Sequence, residues 1–502
     1  MLLADVVAVS AAVAGTRSRS AKSALLAELL RRTASDSPDD IETVASYLAG
    51  SLRQRRTGLG WRGLQDIPPA AATPGLTVSE VNSVFEQLAS LSGAGTQRGR
   101  IDATTSLFAR ATADEQRWLR GLVTGEVRQG ALDSLVQEAL AIAGEVAPAA
   151  VRRAAMMAGS TVDVSRAALT GGESALAAVV LEVGRPVLPM LASTAPTVEA
   201  AMAKAGGGSV AIDTKLDGVR VQVHRQGDDV LVVTRSLDDM TSRHPEVVAL
   251  ARALPCRDVV LDGEVLAVGP DDRPRPFQET ASRAASATGV ELTPWFFDVL
   301  HLDGRDLVDE PTAHRLEVLA SLVPEANLVP RLLTADISEA EAFAARVLEL
   351  GHEGVVVKSL SAPYAAGRRG ATWVKVKPVH TLDLVVLAVE RGSGRRKQWL
   401  SNIHLGARDG EEFVMLGKTF KGMTDEVLAW QTERFRDLQV ADDGYVVTVR
   451  PEQVVEVAFD GVQRSTRYPG GVALRFARVV RYRDDKMAAE ADTIDTVRAY
   501  LP

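Results

Sequence analysis

Apolar and polar residues change their spacing along the chain, and these changes predict separate regions. Up to residue 180 the apolar positions recur at a helical period, with Leu25, Leu26, Leu29 and Leu30 on one stripe. Threonines three residues before glutamates predict helix starts. These candidate capping boxes pair Thr77 with Glu80 and Thr112 with Glu115. We therefore expect residues 1–180 to form an all-helical domain.

After Arg185-Pro186 the helical period gives way to short β-rich runs. Runs such as Val210 to Lys215 and Trp295 to Leu300 predict a mixed, largely antiparallel domain over residues 181–378. Residues 379–502 carry further short strands, which suit a small β-barrel. The predicted fold class is multi-domain α+β, with an all-α N-terminal domain, a mixed α/β domain and a C-terminal β-barrel.

Composition narrows the class of protein. A chain of 502 residues is expected to hold two to four domains, and its net charge of −8 argues weakly against nucleic acid as a partner unless basic residues cluster locally. The single cysteine, Cys256, excludes a disulfide within the chain and a Cys-rich zinc site, and fits a cytoplasmic location. The apolar start, Met1 to Gly15, lacks a positive leading segment, so we interpret it as a core helix and not as a signal peptide. We expect no membrane-spanning segment.

The segment around Lys215 is the first candidate for chemistry. On a strand, Asp213, Lys215 and Asp217 would share one face, with Ile212 and Leu216 opposite. A lysine amine is a nucleophile only when it is neutral, and flanking acids favour its charged form. A nucleophilic Lys215 between two acids therefore fits a site in which bound nucleotide and Mg²⁺ offset the acidic charges. The alternative interpretation is a surface strand with alternating charges.

Four other short strings supply the remaining groups that nucleotidyl transfer needs: carboxylates for Mg²⁺, cations for phosphates and a ring for a base. They are Asp262-Gly263-Glu264, Glu353-Gly354-Val355-Val356-Val357-Lys358, Trp373-Val374-Lys375-Val376-Lys377 and Trp295-Phe296-Phe297-Asp298. Taken singly, each also fits a solvated strand edge or a core aromatic.

In this order the strings resemble the nucleotidyltransferase motifs shared by ATP-dependent DNA ligases, RNA ligases and mRNA capping enzymes. The whole chain is most similar to ATP-dependent DNA ligases of the three-domain type related to human DNA ligase I, which includes the short bacterial ligase B. The resemblance implies a helical DNA-binding domain, an adenylation domain and an OB-fold.

The resemblance also implies roles for individual residues. Lys215 resembles the lysine that takes AMP. The residues that resemble nucleotide-binding positions are Asp213 (where the family usually has glutamate), Phe297 and Val356 at adenine, Arg220 and Arg235 at ribose and phosphates, Lys358, Lys375 and Lys377 at phosphates, and Arg483 and Lys486 at the pyrophosphate. Those that resemble metal-site acids are Glu264, which is also near the ribose, and Glu353. Those that resemble contacts to the DNA nick are Phe277, Arg283 and Phe476.

The function that the resemblance implies is the sealing of nicks in duplex DNA through lysyl-AMP and DNA-adenylate, in repair, replication and recombination. It implies ATP with Mg²⁺, or Mn²⁺ in its place, nicked double-stranded DNA as partner, no membrane, and a monomer in the cytoplasm. It names no protein partner. The alternatives are an RNA ligase or capping enzyme, and an inert DNA clamp. An NAD-dependent ligase is disfavoured, since its four-cysteine zinc module cannot form here.

Basic residues do cluster locally, which answers the objection from net charge. The clusters are Arg98 with Arg100, Arg391 to Lys397, Arg464 with Arg467, and Arg475 to Lys486. A turn at Gly125 and Arg128-Gln129-Gly130 resembles a DNA-backbone contact of the helical domain.

Overall fold

A computed structural model describes residues 1–54, 56–91, 95–127, 129, 133–269, 273–286, 291–366, 369–393 and 396–501. Arg128 and Gly130 of the predicted backbone-binding turn lie outside the described residues, as do Gly394 and Arg395 of the basic run. The chain forms two compact units, residues 1–346 with 355–375 and residues 347–354 with 376–502. Among the described residues, no helix combines the length and the apolar character needed to span a membrane.

The N-terminal region is helical, as its periodicity predicts. Its described helices are α1 (Leu3–Gly15), α2 (Arg19–Asp36), α3 (Ile41–Leu48), α4 (Val78–Ser90), α5 (Thr96–Arg110), α6 (Ala113–Thr124), α7 (Asp133–Ala143), α8 (Pro148–Ala158) and α9 (Gly172–Ala177). Helix α1 buries Leu3, Val6 and Val13 in the helical core, so the apolar start of the chain is a core helix. Both predicted capping boxes form, at α4 and at α6.

The central region contains two five-stranded sheets. The strands are β1 (Leu191–Thr194), β2 (Val210–Lys215), β3 (Val219–Gln226), β4 (Asp229–Thr234), β5 (Asp258–Ala267), β6 (Leu292–Leu302), β7 (Arg305–Asp306), β8 (Arg331–Thr334), β9 (Gly354–Ser359) and β10 (Arg369–Val376). The helices between them are α10 (Val198–Lys204), α11 (Pro245–Ala253), α12 (Phe277–Ser286), α13 (Thr312–Leu322) and α14 (Ile337–Glu349). One sheet has the order β1-β10-β9-β2-β8 and the other β4-β3-β5-β6-β7.

The first sheet mixes strand directions, since β1 runs parallel to β10 while β2 and β8 are antiparallel. The second sheet is antiparallel throughout. This register places Asp213 directly opposite Arg331, and Arg220 directly opposite Glu264. Cross-strand partners have side chains close enough to interact, so the register decides which charges meet.

The C-terminal region is β-rich, as predicted. Its elements are β11 (His380–Arg391), β12 (Leu400–Asp409), β13 (Glu412–Thr419), α15 (Asp425–Asp437), β14 (Gln439–Asp442), β15 (Val446–Val449), β16 (Val454–Phe459), β17 (Gly461–Arg464), β18 (Val472–Arg475), β19 (Arg478–Tyr482) and α16 (Ile494–Arg498). Strand β11 pairs with β16 along its first half and with β15 along its second, in a seven-stranded sheet. Alternate residues Leu382, Leu384 and Val386 point into its core. The multi-domain α+β fold class is thereby confirmed.

Candidate active site

A pocket opens where β2 ends at Lys215. Its walls come from segments far apart in the sequence, and the lining residues are Ala192, Asp213, Thr214, Lys215, Leu216, Arg220, Glu264, Phe297, Val329, Val356, Lys358 and Trp373. The structure therefore brings the predicted nucleophile together with predicted adenine, ribose and phosphate residues. Strand β2 is buried on both faces up to Thr214, with only Lys215 partly exposed, which contradicts the alternative of a surface strand.

The turn after Lys215 sets the geometry of its neighbours. Gly218 packs against β5 so closely that a Cβ atom there would collide with the carbonyl oxygen of Val265. The Gly218 amide donates a hydrogen bond of 2.9 Å to Oε1 of Glu264. Only a residue without a side chain permits this approach, and the approach holds Glu264 beside Lys215.

The charge of Asp213 is compensated by two cations. Arg331 forms a bidentate ion pair with it across the β2–β8 register, and Lys358 Nζ lies 2.6 Å from Oδ2. Burial alone would raise the pKa of Asp213, but Arg331 and Lys358 outweigh burial and hold that pKa below its ordinary value. Asp213 is therefore ionised, and Arg331 and Lys358 balance its negative charge.

The side chain of Lys358, which was predicted to bind phosphates, is almost completely buried. It is 2% exposed, donates to the Phe297 carbonyl at 3.1 Å, and lies 4.7 Å and 4.4 Å from the ring centres of Phe297 and Trp373. Burial lowers its pKa, and Asp213 only partly offsets that effect. In this conformation Lys358 stabilises Asp213 and the aromatic wall; its role at phosphates stays a prediction.

The two acids of the Asp262-Gly263-Glu264 string have different environments. Asp262 accepts hydrogen bonds from Arg220 Nε at 3.0 Å, from Arg220 Nη2 at 2.6 Å and from the Tyr364 hydroxyl at 2.8 Å. Arg220 also donates to the Met190 carbonyl at 2.6 Å, so its guanidinium is largely fixed by the protein. Glu264 faces Lys215 instead, and burial raises its pKa to about 7 although Lys215 and Gly218 pull it down. A carboxyl that titrates near neutrality in a cleft is typical of a functional site.

The aromatic part of the pocket consists of Phe297 and Trp373, whose rings meet edge to face at 5.8 Å. The Arg220 guanidinium lies 5.5 Å from the Phe297 ring centre. Val356 lines the same pocket. An apolar wall with fixed charges beside it is suited to a purine base that carries a polar chain.

Other predicted site residues lie elsewhere. Arg235 is exposed in the turn after β4, and Lys375 is on β10 opposite Thr194. The remaining residues predicted at the nucleotide and the metal belong to the second unit. There Lys377 pairs with Glu353 at 3.1 Å and with Asp460. Arg483 and Lys486 both bind Asp383, at 3.0 Å and 2.6 Å.

The three predicted nick contacts have different surroundings. Phe476 is 59% exposed in the loop between β18 and β19, and Phe277 begins α12. Arg283 is only 7% exposed and donates to the Arg243 carbonyl at 2.9 Å and to Glu246 at 3.3 Å. Because its guanidinium is used inside the fold, this geometry does not support Arg283 as a direct DNA contact.

Several residues of the site were not predicted. Arg331 stabilises Asp213, Tyr364 stabilises Asp262, and Asp383 holds both C-terminal cations. Each lies far from its partner in sequence; Arg331 and Asp213 are 118 residues apart. An aromatic or charged residue with no local motif around it gives no signal in a single sequence.

A partly exposed lysine that lines an apolar pocket beside a carboxylate is an arrangement that suits a nucleotidyltransferase with a covalent lysyl-nucleotide intermediate. Comparisons with known proteins identify its kind. Sequence models of the ATP dependent DNA ligase domain, the ATP dependent DNA ligase C terminal region and the DNA ligase N terminus match residues 189–377, 396–486 and 64–141.

Relatives match along the whole chain. A probable DNA ligase of Nocardioides sp. is 66% identical, over 100% of this chain and 99% of that protein. A probable DNA ligase of Kineococcus radiotolerans is 63% identical, over 99% of each. The solved structure Pmar-Lig_PreS3 shares the fold, with a TM-score of 0.63 at 18% identity, over 95% of this chain and 99% of that one. The chain belongs to the ATP-dependent DNA ligase family.

Family membership confirms the predicted enzyme class and ATP as its nucleotide. It removes the RNA ligase, capping enzyme and inert clamp as alternatives.

Proposed function

We propose that this ligase seals nicks in duplex DNA and that Lys215 carries the AMP. The observation that supports this most directly is the position of Lys215 at the mouth of a pocket that also holds Phe297, Arg220 and Glu264. Lys215 is the residue there that combines a nucleophilic amine with access to solvent. Phe297 and Val356 would bind the adenine, and Arg220 the ribose.

The reaction consists of three displacements at phosphorus. The neutral Lys215 amine attacks the α-phosphorus of ATP, a nitrogen–phosphorus bond forms, the bond to the pyrophosphate oxygen breaks, and the amine loses a proton to solvent. A 5′-phosphate oxygen of the nick then attacks the same phosphorus, and the lysine nitrogen takes up a proton and leaves. Finally the 3′-hydroxyl attacks the 5′-phosphate and loses its proton to solvent, a phosphodiester forms, and AMP leaves. Holding the groups in line supplies much of the rate.

The carboxylates of this site suit an Mg²⁺ ion that is held mainly by the phosphates of the substrate. Among the described residues no cluster of three or more His, Cys, Asp or Glu is placed to hold a metal ion. Mg²⁺ usually takes one or two carboxylates plus phosphate oxygens and water, and Glu264 provides one such carboxylate at this pocket. The ion would neutralise charge that develops on the phosphates. Glu353, which resembles a metal-site acid of the family, lies in the second unit and pairs there with Lys377 at 3.1 Å.

We propose further that the enzyme acts as a cytoplasmic monomer in DNA repair, replication or recombination. The single cysteine supports a reducing compartment. Contacts to the DNA backbone by the basic clusters would make the enzyme selective for nick geometry and not for base sequence.

The test is incubation with α-³²P-labelled ATP and Mg²⁺, followed by denaturing electrophoresis. Wild type should carry label, and nicked DNA should discharge it and yield a sealed strand. Lys215→Ala should carry none. Lys204→Ala is a matched control, because this exposed lysine on α10 lies outside the pocket and donates to the Thr194 carbonyl. Label on Lys215→Ala, or label that nicked DNA cannot discharge, would contradict the proposal.

A further inference from the structure

Two phenylalanines are exposed on the second unit. Phe420, after β13, is 55% exposed, and Phe476, before β19, is 59% exposed. Phenylalanine rings are normally buried because their exposure to water is unfavourable. Phe476 also has a φ of 56°, in the left-handed region that residues with a side chain avoid. Exposure and local strain together indicate a functional position.

The loops that carry these two rings are fastened to each other. The Thr419 hydroxyl donates to the Ala477 carbonyl at 2.6 Å, and the Val479 amide donates to the Lys421 carbonyl at 2.9 Å. Gly422, at φ 82°, lies so close to the backbone of Val479 that a Cβ atom would not fit. The two loops that carry the rings are therefore held together, and we call this pair of loops the Phe420–Phe476 platform.

Cations surround the platform. Lys421 Nζ lies 5.6 Å from the ring centre of Phe476, and Lys377 Nζ lies 5.8 Å from it. Arg396 donates to the Phe420 carbonyl at 3.3 Å, which places a guanidinium beside the second loop. Apolar rings between cations are complementary to nucleic acid, which offers flat bases and sugars between phosphates.

We propose that the Phe420–Phe476 platform contacts duplex DNA at the nick, with Phe420 as a second ring beside Phe476. This inference rests on the proposed function. The rings contact sugars and the base edges that a nick exposes, while Lys421 meets a phosphate. The resemblance to the family assigns a nick contact to Phe476 alone, so the role of Phe420 comes from its exposure, its clamped loop and its charged surroundings.

The test compares Phe420→Ala with Val440→Ala, a control at a residue of the same unit that is 65% exposed. Fluorescence anisotropy measures binding of each variant to labelled nicked duplex and to the same duplex without a nick. Phe420→Ala should bind nicked duplex about tenfold more weakly, within the range for loss of one ring–nucleotide contact. Phe420→Trp, which keeps a ring, should retain most of the affinity. Val440→Ala should match wild type.

Two results would overturn the inference. One is equal affinity of Phe420→Ala and Val440→Ala for nicked duplex. The other is a wild-type dimer that Phe420→Ala dissociates in sedimentation velocity, which would make the platform an interface between two copies. Labelling of wild type with α-³²P-ATP and sealing by wild type test the proposed function separately, so the two failures are distinguishable.

Discussion

At the residue scale, Glu264 is a group whose charge depends on pH near neutrality. Burial raises the pKa of its carboxyl from 4.5 to about 7. The loss of hydration destabilises the carboxylate more than the charge of Lys215 and the hydrogen bond from Gly218 stabilise it. The folded chain therefore binds this proton more tightly than the unfolded chain does. Its stability falls as pH rises from about 4.5 to about 7 and stays reduced above that range.

Glu264→Gln should therefore be more stable than wild type at pH 8, by at most about 3 kcal/mol. The advantage should shrink at pH 6 and disappear near pH 4.5, where both side chains are neutral. Denaturant melts at the three pH values measure this. The same variant should label poorly with α-³²P-ATP at pH 8, since the carboxylate that faces Lys215 is gone. A constant stability difference across pH would show that Glu264 titrates normally.

Arg331 should act as a positioning residue for Asp213. Arg331→Met would leave this buried carboxylate with Lys358 alone, and breaking a buried ion pair typically costs several kcal/mol. We expect the KM for ATP in self-labelling to rise about tenfold, roughly 1.4 kcal/mol of binding. Arg331→Lys should recover part of this. Arg305→Met, at an exposed ion pair with Glu310, is the control. A lowered maximal rate with unchanged KM would contradict the assignment.

Residues with a local motif were predictable, and their partners were not. Lys215, Glu264 and Phe297 each lie in a short string whose spacing follows from strand geometry, and the structure brings them to one pocket. Arg331 is placed by the register of β2 with β8, which no local spacing encodes. For Arg283 the motif position gave no information about burial, and its contact with the nick stays a prediction.

At the element scale, helix starts were predictable because capping is local chemistry. The Thr77 hydroxyl accepts from the Glu80 amide at 3.2 Å, and Glu80 accepts from the Thr77 amide at 2.9 Å. Thr77→Ala should destabilise the chain by about 1 kcal/mol. Ser83→Ala, on the same helix, is the control, because its hydroxyl donates to the Ser79 carbonyl within that helix and caps neither end. Thermal unfolding compares them, and equal midpoints would show that the cap contributes nothing.

Strand positions were predictable for the same reason, whereas strand order was not. Runs such as Val210 to Lys215 coincide with strands, since alternation and β-branched residues act locally. The order β1-β10-β9-β2-β8 joins strands from the two ends of the region. Such pairings depend on packing between distant segments, which one sequence does not reveal.

At the scale of the whole molecule, a net charge of −8 has to be reconciled with binding to a polyanion. Affinity for DNA follows the cations that actually meet phosphates, and each such contact releases counterions. Arg467 is exposed in a basic cluster of the second unit, and Arg346 is exposed in the last turn of α14. Replacing either by alanine changes the total charge equally.

If local contacts determine affinity, the two replacements have different effects. Arg467→Ala should weaken binding to nicked duplex and reduce the slope of log affinity against log salt by about one. Arg346→Ala should leave the slope unchanged. Anisotropy titrations between 50 and 200 mM salt, roughly the range where such contacts dominate, measure both slopes. Equal losses of affinity in the two variants would mean that the total charge of the protein determines DNA binding. The basic cluster that contains Arg467 would then make no specific contribution.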